Sequence, residues 1–221
     1  MRKIIAAAFV SLDGVMQGPG GPTEDPTGGF TQGGWTVTFW DETMEQFMGG
    51  MFGDAFDLLL GRKTYEIFAA HWPYLEDDPI SVLFNGVTKY VVTSSASEPL
   101  NWVNSVRVTG DVPGEIAKLK QGDGPNLLIQ GSSVLLQTLL EHNLIDEFRL
   151  LTLPVVLGSG KRLFGTGTRP GALKLVESGV SKTGVIVSVY HPAGAIPIGS
   201  FQSAQPSEAE GARQDRMKHE G

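Results

Sequence analysis

Apolar residues recur along this chain with two different periods, and the alternation between those periods sets the fold class. Residues 3–10, KIIAAAFV, are apolar on both faces, as in a central strand of a sheet covered on both sides. From Asp41 the period changes: Met44, Phe47, Met48, Met51 and Phe52 fall at i, i+3, i+4, i+7 and i+8, one face of an amphipathic helix that also carries Asp41. A strand DLLLG, a helix TYEIFAAHW, a strand KYVVTSS running into a loop, and a short strand VRVT follow. Asp111 is placed to cap a short helix, PGEIAKLKQ. NLLIQGSSVLLQTLLEHNLIDEFRLLTL reads as a strand, a glycine turn, a serine-capped helix ending near Asn143 and another strand, a right-handed crossover between parallel strands. ALKLVESGVSKTGVIVSVYHP offers two strands joined at Lys182-Thr183-Gly184, an antiparallel hairpin at one side of the sheet. The predicted architecture is α/β, a mostly parallel central sheet with helices on both faces.

Two stretches escape both periods. GPGGPTEDPTGGFTQGG, residues 18–34, is too rich in glycine and proline for a regular element. A loop of that length in a compact domain is either a lid or binding loop or a loose insertion. Beyond Pro192 the chain turns to Ala, Gly, Pro, Ser and mixed charge, so one domain over 1–191 and a disordered tail over 192–221 are expected.

The composition narrows the classes. With 221 residues, 41% hydrophobic and 19% charged, the chain suits one soluble globular domain with a real core. Its net charge of −7 without a basic cluster argues against a nucleic-acid partner. No run approaches a membrane span, and the first ten residues lack a convincing cleavage pattern, so no membrane association is expected. The absence of cysteine excludes disulfides, thiolate-bound zinc and a thiol nucleophile, and fits a cytoplasmic location. His71, His142, His191 and His219 are scattered without ligand spacing, so no metal site is expected.

Sheets of this kind bind ligands beyond the carboxyl ends of their strands. Three loops lie there: Gly61, Arg62, Lys63 and Thr64; Thr93, Ser94 and Ser95; and Gln130, Gly131, Ser132, Ser133 and Val134. Cations, hydroxyls and helix N-termini together would hold phosphates, whereas each loop alone is an ordinary turn or cap. LGSGKR lacks the first glycine and the final hydroxyl of a P-loop, and GSSVL lacks the second glycine of a serine nucleophile elbow.

The order of FVSLDG, GRKTYE, VVTSS, IQGSSVLLQTLL and LIDEFRLLTLPVVLGSGKRLF, across roughly residues 2 to 190, resembles the dihydrofolate reductase-like superfamily. It is closer to the branch of the riboflavin-biosynthesis reductase, the C-terminal domain of the bifunctional deaminase-reductase. The resemblance implies a three-layer fold and NADPH as hydride donor to a C=N or C=O of a small heterocyclic or sugar-derived substrate. Arg62, Lys63 and Thr64 would hold dinucleotide phosphates, Ser94 and Ser95 the adenosine 2′-phosphate, Gly131 to Val134 the pyrophosphate, and Ala8 would face the nicotinamide. Members commonly have consecutive glycines where this chain has Ser132 and Ser133. For the proton source the candidates are Asp41, on the helix before GRK, and Asp13 of SLDG; either is also an ordinary capping carboxylate. Trp35 and Trp40 would flank the substrate, and Pro154, Leu157 and Gly158 would form its floor or rim. Lys161 and Arg162 would receive an anionic substrate group or be surface charges. The alternatives are the riboflavin-pathway reductase, acting on a phosphoribosylamino-uracil, and a nucleotide-binding module without catalysis. A homodimer is a further expectation of the resemblance.

Overall fold

The computed structural model describes residues 1–75, 77–166, 168–201, 205 and 207–220. The elements run β1 (Ile4–Ser11), α1 (Glu42–Met51), β2 (Phe56–Gly61), α2 (Arg62–Ala69), α3 (Pro79–Gly86), β3 (Lys89–Val92), β4 (Ser105–Val108), α4 (Val112–Gln121), β5 (Asn126–Ile129), α5 (Ser133–Glu141), β6 (Glu147–Leu153), β7 (Leu173–Val180), β8 (Ile186–Pro192) and α6 (Glu208–Met217). The strands form one sheet in the order β4-β3-β2-β5-β1-β6-β8-β7. The first six pair in parallel, and β8 joins β6 and β7 antiparallel, as the hairpin pattern predicts. This is the three-layer dihydrofolate reductase-like arrangement.

Strand β1 lies between β5 and β6 and is apolar on both faces because both are covered. Ile5 and Ala7 pack into one core with Met44, Met48 and Met51 of α1, Tyr65 of α2 and Phe84 of α3. Ile4, Ala6, Ala8 and Val10 pack into the other, with Ile116 of α4 and Leu135, Leu136 and Leu139 of α5. The period-2 alternation of one strand thus divides the core into two layers. Helix α3 goes beyond the elements anticipated from the apolar pattern. Its start is held locally, Pro79 at the first turn and the Asp78 carboxylate accepting from the Ser81 amide at 2.9 Å. Asp111 occupies the N-cap of α4, but its side chain makes no capping hydrogen bond.

Two buried cations fasten the sheet at its amino-terminal side. Arg2, 4% exposed, pairs with Asp57 of β2, donates to the Pro125 carbonyl at 2.5 Å and lies over the Tyr90 ring at 5.2 Å. Asp57 also accepts from the Thr88 amide at 3.1 Å. The Lys89 ammonium donates to the carbonyls of Asn85, Val87 and Val103 and sits over the Trp102 ring. Burial lowers the Lys89 pKa to about 8, so at neutral pH it still carries its proton.

The long loop between β1 and α1 is fastened rather than loose. Gln17 donates to the carbonyls of Asp25 and Thr27 and accepts from the Lys161 amide, and the Trp35 indole donates to the Gln17 carbonyl at 2.8 Å. Phe30 and Val15 are buried beneath it, and Met16 donates its amide to the Lys161 carbonyl at 2.8 Å. Among the described residues no helix is long and apolar enough to cross a membrane.

Truncating Asp57 would leave Arg2 buried without its counter-charge. Asp57→Ala is expected to cost about 3–5 kcal/mol in urea unfolding followed by circular dichroism. A loss under about 1 kcal/mol would show that the pair holds little of the sheet together.

Candidate active site

Beyond the carboxyl ends of β1, β2 and β5 lies a cavity of about 550 Å³. Ala7 and Ala8 reach it although they belong to opposite cores, and their methyl groups leave open the space that larger residues would fill.

One wall is built where two chain turns touch. Strand β2 passes directly into α2, and β5 reaches α5 through Gln130, Gly131 and Ser132. The Gly61 amide donates to the Gly131 carbonyl at 3.3 Å. A β-carbon on Gly61 would lie 2.2 Å from Ser132 Oγ, and one on Gly131 2.7 Å from Thr64 Oγ1, so a side chain at either position would have to displace its neighbour. Gly131 also has φ 136°, a conformation natural to glycine. Neither α2 nor α5 has a side-chain cap, whereas the carboxylates of Asp41 and Asp78 cap α1 and α3. Lys63, Thr64, Ser132 and Ser133 at these two starts line the cavity. Among the described residues Lys63 forms no ion pair, and the three hydroxyls make no hydrogen bond. Unsatisfied helix amides, free hydroxyls and a free ammonium on one wall make a receptor for an extended anion.

A second wall is apolar. Met48, Met51 and Phe52 come from α1 and its end, Ile67 and Phe68 from α2, and Trp72, Ile80 and Phe84 from the segment that follows. Trp40, 46% exposed, stands at the mouth with its ring centroid 6.2 Å from that of Phe9.

The third wall is polar and comes from the β1–α1 loop with Lys161. Asp25 is fully engaged: one oxygen pairs with Lys161 Nζ and the other accepts from the Thr27 amide and hydroxyl. Burial opposes its ionisation, but Lys161 and Thr27 outweigh burial and hold its carboxyl below the usual range. Glu24 differs. Its Oε2 accepts from the Gly20 amide at 2.5 Å and the Gly21 amide at 3.2 Å, and desolvation raises its pKa despite them, with the neighbouring Asp25 charge adding to the rise.

The residues expected from the sequence fall into three places. Ala8, Trp40, Lys63, Thr64, Gln130, Gly131, Ser132 and Ser133 line the cavity, and Gly61 supports it from behind. Arg62 lies outside the lining, paired with Glu66 and 3.5 Å from Glu98. Beyond Glu98 is the neighbouring loop, where Thr93 accepts from the Ser95 amide, the Ser95 hydroxyl accepts from the Glu98 amide, and Ser94 is exposed. Val134 is 73% exposed and points away from the lining.

The remaining expected residues are occupied structurally. Asp41 caps α1 through the Thr43 and Met44 amides and also accepts from the Thr183 amide at 3.3 Å. Desolvation opposes its ionisation, yet the Met44 and Thr183 amides keep its carboxyl below the usual range. Asp13 accepts from the Ser11 hydroxyl at 2.6 Å and the amides of Leu157 and Gly158, contacts that lower its pKa to about 2. Both carboxylates lie outside the cavity lining, as do Pro154, Leu157 and Gly158, and Trp35 is buried inside the loop. Lys161 is neutralised by Asp25, and Arg162 lies 3.5 Å from Asp13. Gln17, Glu24 and Asp25 line the cavity without having been singled out from the sequence, because they sit in its least regular stretch.

A methyl group at Gly61 must displace Ser132. Gly61→Ala should therefore cost about 1–3 kcal/mol in denaturant unfolding. Gly86→Ala is the control: nothing lies within 4 Å of the added carbon, and stability should hold or rise slightly.

Comparison with known proteins agrees with this geometry. The chain is 30% identical over 199 residues to YyaP of Bacillus subtilis (strain 168), an uncharacterized protein, with 86% of this chain and 95% of that one covered. In structure it is similar to a putative riboflavin biosynthesis protein from Shewanella sp. PV-4, with TM-score 0.60 and 23% identity over 86% of this chain and 99% of that one. It is also similar to the dihydrofolate reductase from Enterococcus faecalis complexed with NADP(H), with TM-score 0.54 and 16% identity over 86% and 96% of the two chains. The family model described as the RibD C-terminal domain matches residues 2–187, nearly the whole of the described sheet, and supports a reductase-type function. By its sequence and its fold alike, the chain is a member of the RibD C-terminal domain family.

Proposed function

We propose that this protein is a reductase that uses NADPH to transfer hydride to a C=N or C=O group of a small, planar, largely apolar heterocycle. One observation carries the reading: two uncapped helix starts, a free lysine and two tightly packed glycines meet at the same cavity as the alanine-lined gap in the central strand.

The residues fit the cofactor. Lys63, Thr64, Ser132, Ser133 and the first amides of α2 and α5 would hold its pyrophosphate. The Ala7–Ala8 segment leaves room for a flat ring against β1, and Arg62 with Ser94 and Ser95 would meet a 2′-phosphate. When bound, the cofactor supplies the hydride, while the chain contributes orientation and exclusion of water. The apolar wall of Met48, Met51, Phe68, Trp72 and Phe84 favours an uncharged planar substrate beside the ring. That wall also weighs against the phosphoribosyl substrate of the riboflavin pathway. The lysine beside it, Lys161, is already paired with Asp25, so a phosphate there would compete with a carboxylate.

Trp40 and Trp72 line the cavity, so tryptophan emission should report occupancy. Titration is expected to give micromolar NADPH binding and weaker NADH binding. Loss of a charge-assisted contact in Lys63→Ala should weaken NADPH by about tenfold or more. Arg62→Ala should weaken NADPH more than NADH. Absence of binding by either nucleotide would remove the reductase reading.

A further inference from the structure

We infer that Glu24 is the catalytic acid of this site and that it protonates the nitrogen of a cyclic imine as hydride is delivered to the neighbouring carbon. The inference rests on the reductase reading above and goes beyond it by naming the proton donor and the acceptor chemistry.

The argument begins with elimination by geometry. Among the described residues two carboxylates line the cavity, Glu24 and Asp25. Asp25 has both oxygens committed, to Lys161 and to Thr27, and is held ionised. Glu24 uses one oxygen, Oε2, for the Gly20 and Gly21 amides, and Oε1 takes no hydrogen bond from the described residues. The side chain is therefore oriented by backbone while one oxygen remains for a ligand. Asp13 and Asp41 lie outside the cavity lining, so neither reaches a ligand held there.

The surroundings suit a proton donor. Burial raises the Glu24 pKa more than the Gly20 and Gly21 amides lower it, the Asp25 charge adds to the rise, and His71 acts in the opposite direction. Lys161 is balanced by Asp25, so the protonated wall is neutral and the wall after proton release carries one negative charge. That change matches an acceptor that is neutral on entry and cationic after protonation, which describes an imine becoming an iminium. A carboxyl whose pKa is raised is also a better match to a nitrogen base than one held low. Anchoring on Gly20 and Gly21 places the acid on the β1–α1 loop, a different element from the helix starts that would hold the cofactor's phosphates.

The step balances as follows. The Glu24 O–H bond breaks and an N–H bond forms with the imine lone pair, leaving carboxylate and iminium. The hydride of the reduced nicotinamide forms the new C–H bond, and the C=N π pair becomes the amine lone pair. The imine is reduced, the nicotinamide is oxidised, and the carboxylate regains a proton from water.

The test uses the full chain, with dihydroisoquinoline as a flat, apolar imine and its N-methyl iminium salt as an acceptor that needs no proton. Three readouts are compared for wild type and Glu24→Gln. In the free protein, NMR with labelled glutamate carboxyl carbons should show one carboxyl titrating above the ordinary value of about 4.3 and missing from the variant. NADPH binding, read by tryptophan quenching, should be the same in both. Turnover of the imine should fall by about 100-fold or more in Glu24→Gln, while the loss with the iminium should stay under about tenfold. Wild-type imine turnover should decline as pH rises through the midpoint of the Glu24 titration, because only the protonated carboxyl donates.

If neither protein binds NADPH, the reductase reading fails and the inference with it. If NADPH binds but Glu24 titrates at or below the ordinary value, or wild type does not reduce the imine, the inference alone is overturned. Equal losses with imine and iminium would also overturn it, since Glu24 would then be positioning the acceptor rather than protonating it.

Discussion

A strand buried on both faces is the constraint from which the rest of this molecule follows. β1 has no polar face to offer water, so the chain must lay helices against each side of it, and its alternating residues divide the core in two. Once both faces are covered, the carboxyl ends of the strands are the open region left at the sheet's centre. The alanines of β1 lie there. A larger residue at either position would reach into the cavity and narrow it, so the site depends on small side chains in the central strand.

The same region holds two helix starts without side-chain caps. α1 and α3 spend carboxylates on their first turns, while α2 and α5 start bare at the cavity. Bare helix starts lower stability unless something meets their amides, and a bound anion meets them. The acidic net charge of the chain gives no hint of these bare helix starts and the lysine beside them, because it averages over the whole surface.

Much of the fold is legible in the sequence because it follows from short-range periods. The methionine and phenylalanine stripe of α1 and the hairpin at Lys182-Thr183-Gly184 are local patterns, and so is the crossover through α5. The start of α3 is also written locally, in Asp78 followed by Pro79, but its short apolar run carries too little period to announce itself. The wall with the two uncapped helix starts is legible for a related reason: glycine, cation and hydroxyl stand at strand ends whose position the topology rule fixes. The acidic chemistry is not. Asp13 reads as a cleft carboxylate until Leu157 and Gly158 are seen to bind it, and Asp41 until Thr183 does. Glu24 lies in an aperiodic loop whose shape is set by Lys161, far along the chain, so nothing in its neighbourhood marks it.

The contact between Gly61 and Gly131 has a consequence for how such a protein can diversify. At that junction the two turns are joined main chain to main chain, so drift in surrounding side chains leaves the junction intact provided the two glycines remain. The loop bearing Glu24 is fixed by side chains and turns, which mutation rewrites readily. One half of the cavity is therefore inherited as backbone geometry and the other as replaceable chemistry. Descendants of such a chain can rewrite one wall of the cavity without disturbing the backbone that shapes the other.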